Sequence, residues 1–85
     1  MVRILFTRQA DRALRKMPHD AAQSIRQKLA QLADDPYARN PNATKLQGRP
    51  GYRLRVGDWR IIYEIEGEQL TILVLRIAAR GGGYR

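Results

Sequence analysis

Cysteine is absent from this 85-residue sequence, and histidine, tryptophan and phenylalanine occur once each. Without cysteine there is no disulfide, no thiolate nucleophile and no Cys-based zinc site, and the redox compartment is left open. With His19 as the lone imidazole, a conventional transition-metal site is not expected, and nothing in the chain calls for a cofactor. No apolar run approaches the roughly 20 residues of a membrane-spanning helix. No signal-peptide pattern appears either, so a cytoplasmic protein without a membrane partner is expected. Acid is scarce as well: eight Asp and Glu face sixteen Lys and Arg, for a formal charge of +8 and a pI near 10.9. Thirteen of those cations are arginine, which favours planar, bidentate contact with phosphate. Such a balance falls within the composition of nucleic-acid binders; an acidic protein partner would also answer it.

A chain this short makes one domain, residues 1–85, with a limited core that a partner can help support. Val2 to Phe6 reads as a short strand. Thr7 is placed to cap a helix in which Ala10, Ala13, Leu14 and Met17 fall at i, i+3, i+4 and i+7. Pro18 ends that helix and opens the next, whose stripe is Ala22, Ile25, Leu29 and Leu32, running to about Ala33. The two form an αα-hairpin. From Asp34 to Gly51, Asp35-Pro36, Asn40-Pro41 and Arg49-Pro50-Gly51 punctuate a long loop that carries Arg39, Lys45 and Arg49. Gln69 to Ile77 is the last strand.

The stretch from Tyr52 to Ile65, YRLRVGDWRIIYEI, alternates as two strands about a Gly57-Asp58 turn. Pairing it around that turn sets Val56 against Trp59, Arg55 against Arg60, Leu54 against Ile61, Arg53 against Ile62 and Tyr52 against Tyr63. Opposed residues share a face. One face is therefore Tyr52, Leu54, Val56, Trp59, Ile61 and Tyr63, which reads as core. The other carries Arg53, Arg55 and Arg60, with Ile62, Leu73 and Leu75 as an apolar floor. Strict alternation along the last strand sends Arg76 to the Trp59 side. The expected class is α+β, ordered β-α-α-β-β-β, with the helical hairpin on the apolar face of a small, mainly antiparallel sheet. Like charges opposed across strands destabilise a sheet, so the arginine face is expected to hold something anionic.

These residues, with the closing ILVLRIAARGGGYR, resemble the RelE/ParE toxin superfamily of bacterial toxin–antitoxin modules over nearly the whole chain. The RelE branch is the most similar, and its members are ribosome-dependent endoribonucleases that cut mRNA in the decoding site. The resemblance implies a RelE-like fold, a small acidic antitoxin, and the 30S ribosomal subunit with its mRNA as partners. Position by position, it carries basic site residues onto Arg53 and Arg55, the turn arginine onto Arg60, the arginine after the last strand onto Arg80, and the terminal tyrosine onto Tyr84. Arg39, Lys45 and Arg49 are added as RNA-binding residues of the loop. Two departures stand out. Ala79 replaces a histidine of many relatives, and Gly81-Gly82-Gly83 fills the segment before Tyr84.

Cleavage by the 2′-hydroxyl needs a base for the 2′ proton, positive charge at the phosphorane, and a proton for the leaving 5′ oxygen. Arginine serves the second need and is a poor base. Tyr84 is the candidate base, since neighbouring guanidiniums favour a phenolate. Arg60 and Arg80 would stabilise transition-state charge, and Arg53 and Arg55 would bind the backbone. The acid is unassigned. Two alternatives remain open: a non-enzymatic gyrase inhibitor of the ParE kind, and a binding module whose altered tail has lost its chemistry.

Overall fold

The computed structural model describes residues 3–68 and 70–79. Strand β1 (Ile4–Phe6) leads into helix α1 (Arg8–Lys16) and helix α2 (His19–Asp34). Strands β2 (Ala43–Lys45), β3 (Tyr52–Val56), β4 (Trp59–Glu66) and β5 (Thr71–Ala79) follow. They form one sheet in the order β1-β5-β4-β3-β2. Only the β1–β5 pairing is parallel. Neither helix is long and apolar enough to cross a membrane.

Two boundaries differ from the sequence-based expectation. The segment read as one loop contains β2, whose Ala43, Thr44 and Lys45 pair with Leu54, Arg53 and Tyr52. Three residues carry no periodic signal of their own; the open backbone edge of β3 imposes their conformation. The last strand starts at Thr71. Leu70 lies in the turn with φ +54°, its N–H donating to the Gly67 carbonyl at 3.2 Å.

The helices pack on one face of the sheet. Ala10, Leu14 and Met17 of the first helical stripe are buried, with Ile25, Leu29 and Leu32 of the second. They meet Leu54, Ile61, Tyr63, Ile72, Val74 and Ile77 from the strands. Fully burying each such aliphatic side chain is worth about 1.5–3 kcal/mol. Tyr52 stacks on Tyr63 with ring centres 5.3 Å apart and planes inclined by 17°. Trp59 packs against the same cluster, so the aromatic residues of the hairpin belong to the scaffold.

Two polar side chains at the start of the first helix, one capping it and one within it, hold β5 in place. The Thr7 hydroxyl accepts from the Ala10 N–H at 3.3 Å, capping α1, and donates to the Leu75 carbonyl at 2.6 Å. Strand β1 pairs with β5 only from Ile72 to Val74. Beyond it, the Gln9 side-chain amide donates to the Ile77 carbonyl and accepts from the Ile77 N–H, both at 3.1 Å. Gln9 thus stands in for one peptide of a missing strand, satisfying groups that would otherwise lose partners on burial.

Strand β5 carries a bulge. Ile62 pairs with Arg76 but Tyr63 pairs with Val74, leaving Leu75 as the extra residue. Val74 and Ile77, three apart, can therefore both enter the core, which a regular strand of period two forbids.

Two stability predictions follow from this packing. A β-carbon on Gly51, at φ +110°, would meet the Tyr63 carbonyl oxygen at 3.0 Å, whereas one on Gly57, at φ +56°, would meet nothing within 4 Å. Gly57→Ala is expected to cost about 1–2 kcal/mol for its left-handed backbone and Gly51→Ala more, by urea unfolding; equal losses would contradict the packing. The Tyr63 phenol is pushed up to about 12, first by burial and then by Tyr52. The folded state thus holds a proton that the unfolded chain releases near pH ~10. This contribution is complete below pH ~10 and fades as pH rises toward 12. Tyr63→Phe should flatten the alkaline limb of the stability–pH curve; an unchanged limb would place the loss elsewhere.

Candidate nucleic-acid interface

The arginine face grows out of the Gly57-Asp58 turn. Gly57 takes the positive φ that a two-residue hairpin with glycine first requires. All five expected pairs are present: Tyr52 with Tyr63, Arg53 with Ile62, Leu54 with Ile61, Arg55 with Arg60 and Val56 with Trp59. Because Leu54 and Ile61 are buried beneath the helices, Arg53, Arg55 and Arg60 stand on the opposite side of the sheet.

The bulge adds a fourth guanidinium. Arg76 pairs with Ile62, so it joins Arg53 and Ile62 in one row on the arginine face. This corrects the expectation that Arg76 lies on the Trp59 side, which assumed unbroken alternation through Leu75. The sequence held a signal for it: an arginine directly before the apolar Ile77, after Ile72 and Val74, marks a change of phase. Ile62 is 2% exposed yet stands apart from the helix-side core, forming a buried apolar floor between Arg53 and Arg76.

Two hollows share Arg55 as a wall. One, of about 170 Å³, is lined by Pro41, Asn42, Thr44, Arg53 and Arg55. The other, of about 60 Å³, lies among Arg55, Gly57, Asp58, Trp59 and Arg60. Arg53 is half-buried and Arg55 exposed, and among the described residues neither takes part in an ion pair. Thr44 reaches the first hollow because it pairs with Arg53. Asn42 precedes β2, with its backbone held on both sides: its N–H donates to the Asn40 Oδ1 at 2.8 Å, and its carbonyl accepts from the Arg55 N–H at 2.9 Å. Neither residue stood out in the sequence, since β2 itself did not.

The structure thus brings Arg53, Arg55 and Arg60 together. Lys45 pairs with Tyr52 and shares its side of the sheet, away from the arginines, because adjacent strand residues point to opposite faces. Arg39 and Arg49 are exposed on the connecting segments and line neither hollow. Arg80 and Tyr84 lie outside the described residues. Among the described residues no three His, Cys, Asp or Glu side chains converge as a metal site would require. Tyr63 keeps its proton to high pH and sits on the helix side, so it offers the arginine face no base.

Neighbouring arginines beside an apolar floor suit a polyanion with repeating phosphates. Each arginine can donate two parallel hydrogen bonds to one phosphate, and the mutual repulsion of Arg55 and Arg60 falls when an anion lies between them.

Residues 4–83 match the model of a family described as the ParE toxin of the type II toxin–antitoxin system, parDE. No curated protein matches the sequence. Among solved structures, the chain is similar to the archaeal RelE–RelB complex of Pyrococcus horikoshii, with 27% identity over 96% of this chain and 98% of that one and a TM-score of 0.79. It shares its fold with the RelBE2 toxin–antitoxin complex of Mycobacterium tuberculosis, at 24% identity over 93% and 98% of the two chains and a TM-score of 0.77. It does so too with a YoeB/ParE toxin of Agrobacterium tumefaciens, at 13% identity over 93% and 99% and a TM-score of 0.79. The chain belongs to the ParE toxin family of type II toxin–antitoxin systems, within the RelE/ParE superfamily.

Proposed function

We propose that this toxin is a metal-independent endoribonuclease that cuts mRNA in the ribosomal decoding site and so inhibits translation in the cytoplasm. The observation that carries the reading is the cluster of Arg53, Arg55, Arg60 and Arg76 on the sheet face that the helices leave uncovered. In this reading Arg53 and Arg55 grip the RNA backbone on either side of the scissile phosphate. A base removes the 2′ proton, the 2′ oxygen attacks phosphorus, and the bond to the 5′ oxygen breaks; that oxygen takes up a proton from solvent or from an acid not assigned to a residue, leaving a 2′,3′-cyclic phosphate and a 5′-hydroxyl. Arg60, with Arg80 after the last strand, meets the charge that grows on the phosphorane, where preorganised cations act most strongly. Tyr84 is the proposed base. The ribosome would hold the mRNA in geometry for attack.

The antitoxin follows from the same electrostatics. The solved complexes of RelE toxins with RelB support a cognate antitoxin here, and a charge of +8 favours an acidic segment that orders on binding. The product of an adjacent gene should bind with an affinity that drops steeply as salt rises. Weak, salt-insensitive binding would count against this partner.

A second reading has one observation in its favour: the matching family model is that of ParE toxins. A non-enzymatic gyrase inhibitor would stall supercoiling and leave mRNA intact.

Mapping mRNA 5′ ends after expression, beside a gyrase supercoiling assay, separates the two readings. Tyr84→Phe keeps the ring and removes the ionisable oxygen, so cutting of ribosome-bound mRNA should fall about a hundredfold or more. Full cleavage by this variant would move the base elsewhere. Arg55→Ala should weaken ribosome and mRNA binding while leaving stability equal or higher, since it removes the residue opposed to Arg60. If that variant unfolds instead, Arg55 belongs to the scaffold.

A further inference from the structure

We propose that the hollow beside Arg53 and Arg55 is a base-reading pocket, in which Asn42 and Thr44 recognise one unstacked nucleobase of the RNA bound on the arginine face. The inference rests on the ribonuclease reading above and adds a residue-level account of sequence preference.

Three features of the hollow support it. First, its walls differ in chemistry from one side to the other. Arg53 and Arg55 form the charged side, while Pro41, Asn42 and Thr44 form a neutral one. A nucleotide has the same division: an anionic phosphate and a neutral, hydrogen-bonding base. With the phosphate on the guanidiniums, the base of the same or the next nucleotide falls toward the neutral wall. Its volume of about 170 Å³ is on the scale of a single flat heterocycle.

Second, the neutral wall offers hydrogen bonds that the fold does not consume. The backbone of Asn42 is satisfied on both sides, through Asn40 Oδ1 and the Arg55 N–H. Its side-chain amide keeps one donor group and one acceptor for a ligand. The Thr44 hydroxyl adds a group that donates or accepts. Such adjacent donor–acceptor pairs read base edges, and single-stranded RNA is recognised through bases splayed out of the stack.

Third, the wall is tied through its backbone to the arginine strand. Thr44 is fixed by its pairing with Arg53, and Asn42 by its bond to Arg55 of the same strand. The backbone that carries the reading groups is therefore hydrogen-bonded to the strand that carries Arg53 and Arg55. A base reader mounted on an independent loop would lack this coupling.

The test compares cleavage maps on ribosome-bound mRNA for the wild type, Asn42→Ala, Asn42→Asp and Thr44→Val, all at exposed positions. Thr44→Val keeps the β-branched shape and removes only the hydroxyl. Asn42→Ala and Thr44→Val are expected to flatten the base preference at one position near the cut, with the favoured base losing about tenfold against the others. Asn42→Asp removes the donor and should shift preference toward bases that present an amino group. Arg55→Ala, by contrast, should depress cutting at every sequence alike. Cutting by all four proteins with one unchanged preference overturns the pocket while leaving the ribonuclease reading intact. If the wild type cuts no mRNA, the ribonuclease reading fails. The pocket is then judged by fluorescence anisotropy with short single-stranded oligonucleotides differing at one base: discrimination that Asn42→Ala abolishes sustains it, and none in the wild type overturns it.

Discussion

The phase change in β5 is the constraint on which both halves of this protein depend. A regular strand that kept Ile72 and Val74 in the core would bury Arg76 and turn Ile77 outward. With Leu75 as an extra residue, Val74 and Ile77 both fill the space under the helices, and Arg76 crosses to the other side. The bulge is held by the Thr7 hydroxyl on the Leu75 carbonyl and by the Gln9 amide on Ile77. The start of α1, a helix that packs the core, thereby sets the placement of a charge on the opposite face. A substitution at Thr7 or Gln9 would act on that face without lying on it.

The sheet separates two environments. On the helix side, Tyr63 is buried firmly enough that its phenol is pushed up to about 12. On the other, Arg55 opposes Arg60 across the hairpin, and buried Ile62 lies between Arg53 and Arg76. Apolar burial on one side supplies the stability that tolerates repulsion on the other, and that repulsion becomes attraction when a polyanion arrives. An acidic antitoxin segment and an RNA backbone would be competing answers to one electrostatic demand.

The backbone alone does not choose among activities. Solved structures named for RelE and for YoeB/ParE overlay this chain about equally well, as expected where function is carried by side chains grafted on a common scaffold. Arginine is dense on one face, and the hollow at its edge sets Pro41, Asn42 and Thr44 opposite Arg53 and Arg55.

Much of this was legible in the chain itself. The period of the two helical stripes, the Gly57-Asp58 turn and the five pairs of its hairpin could be read directly, because local alternation and turn chemistry determine them. Arg53, Arg55 and Arg60 followed from that pairing. Three things were decided only by tertiary structure. Strand β2 exists because β3 has a backbone edge to satisfy, and with it Thr44 and Asn42 reach the arginine face while Lys45 is turned away. The bulge exists because the space under the helices accepts two residues three apart. Arg76 then changes sides, since one extra residue inverts every side chain beyond it. Sequence determines the elements whose signals are local; the partners available to an open edge, and the shape of the core to be filled, decide the rest.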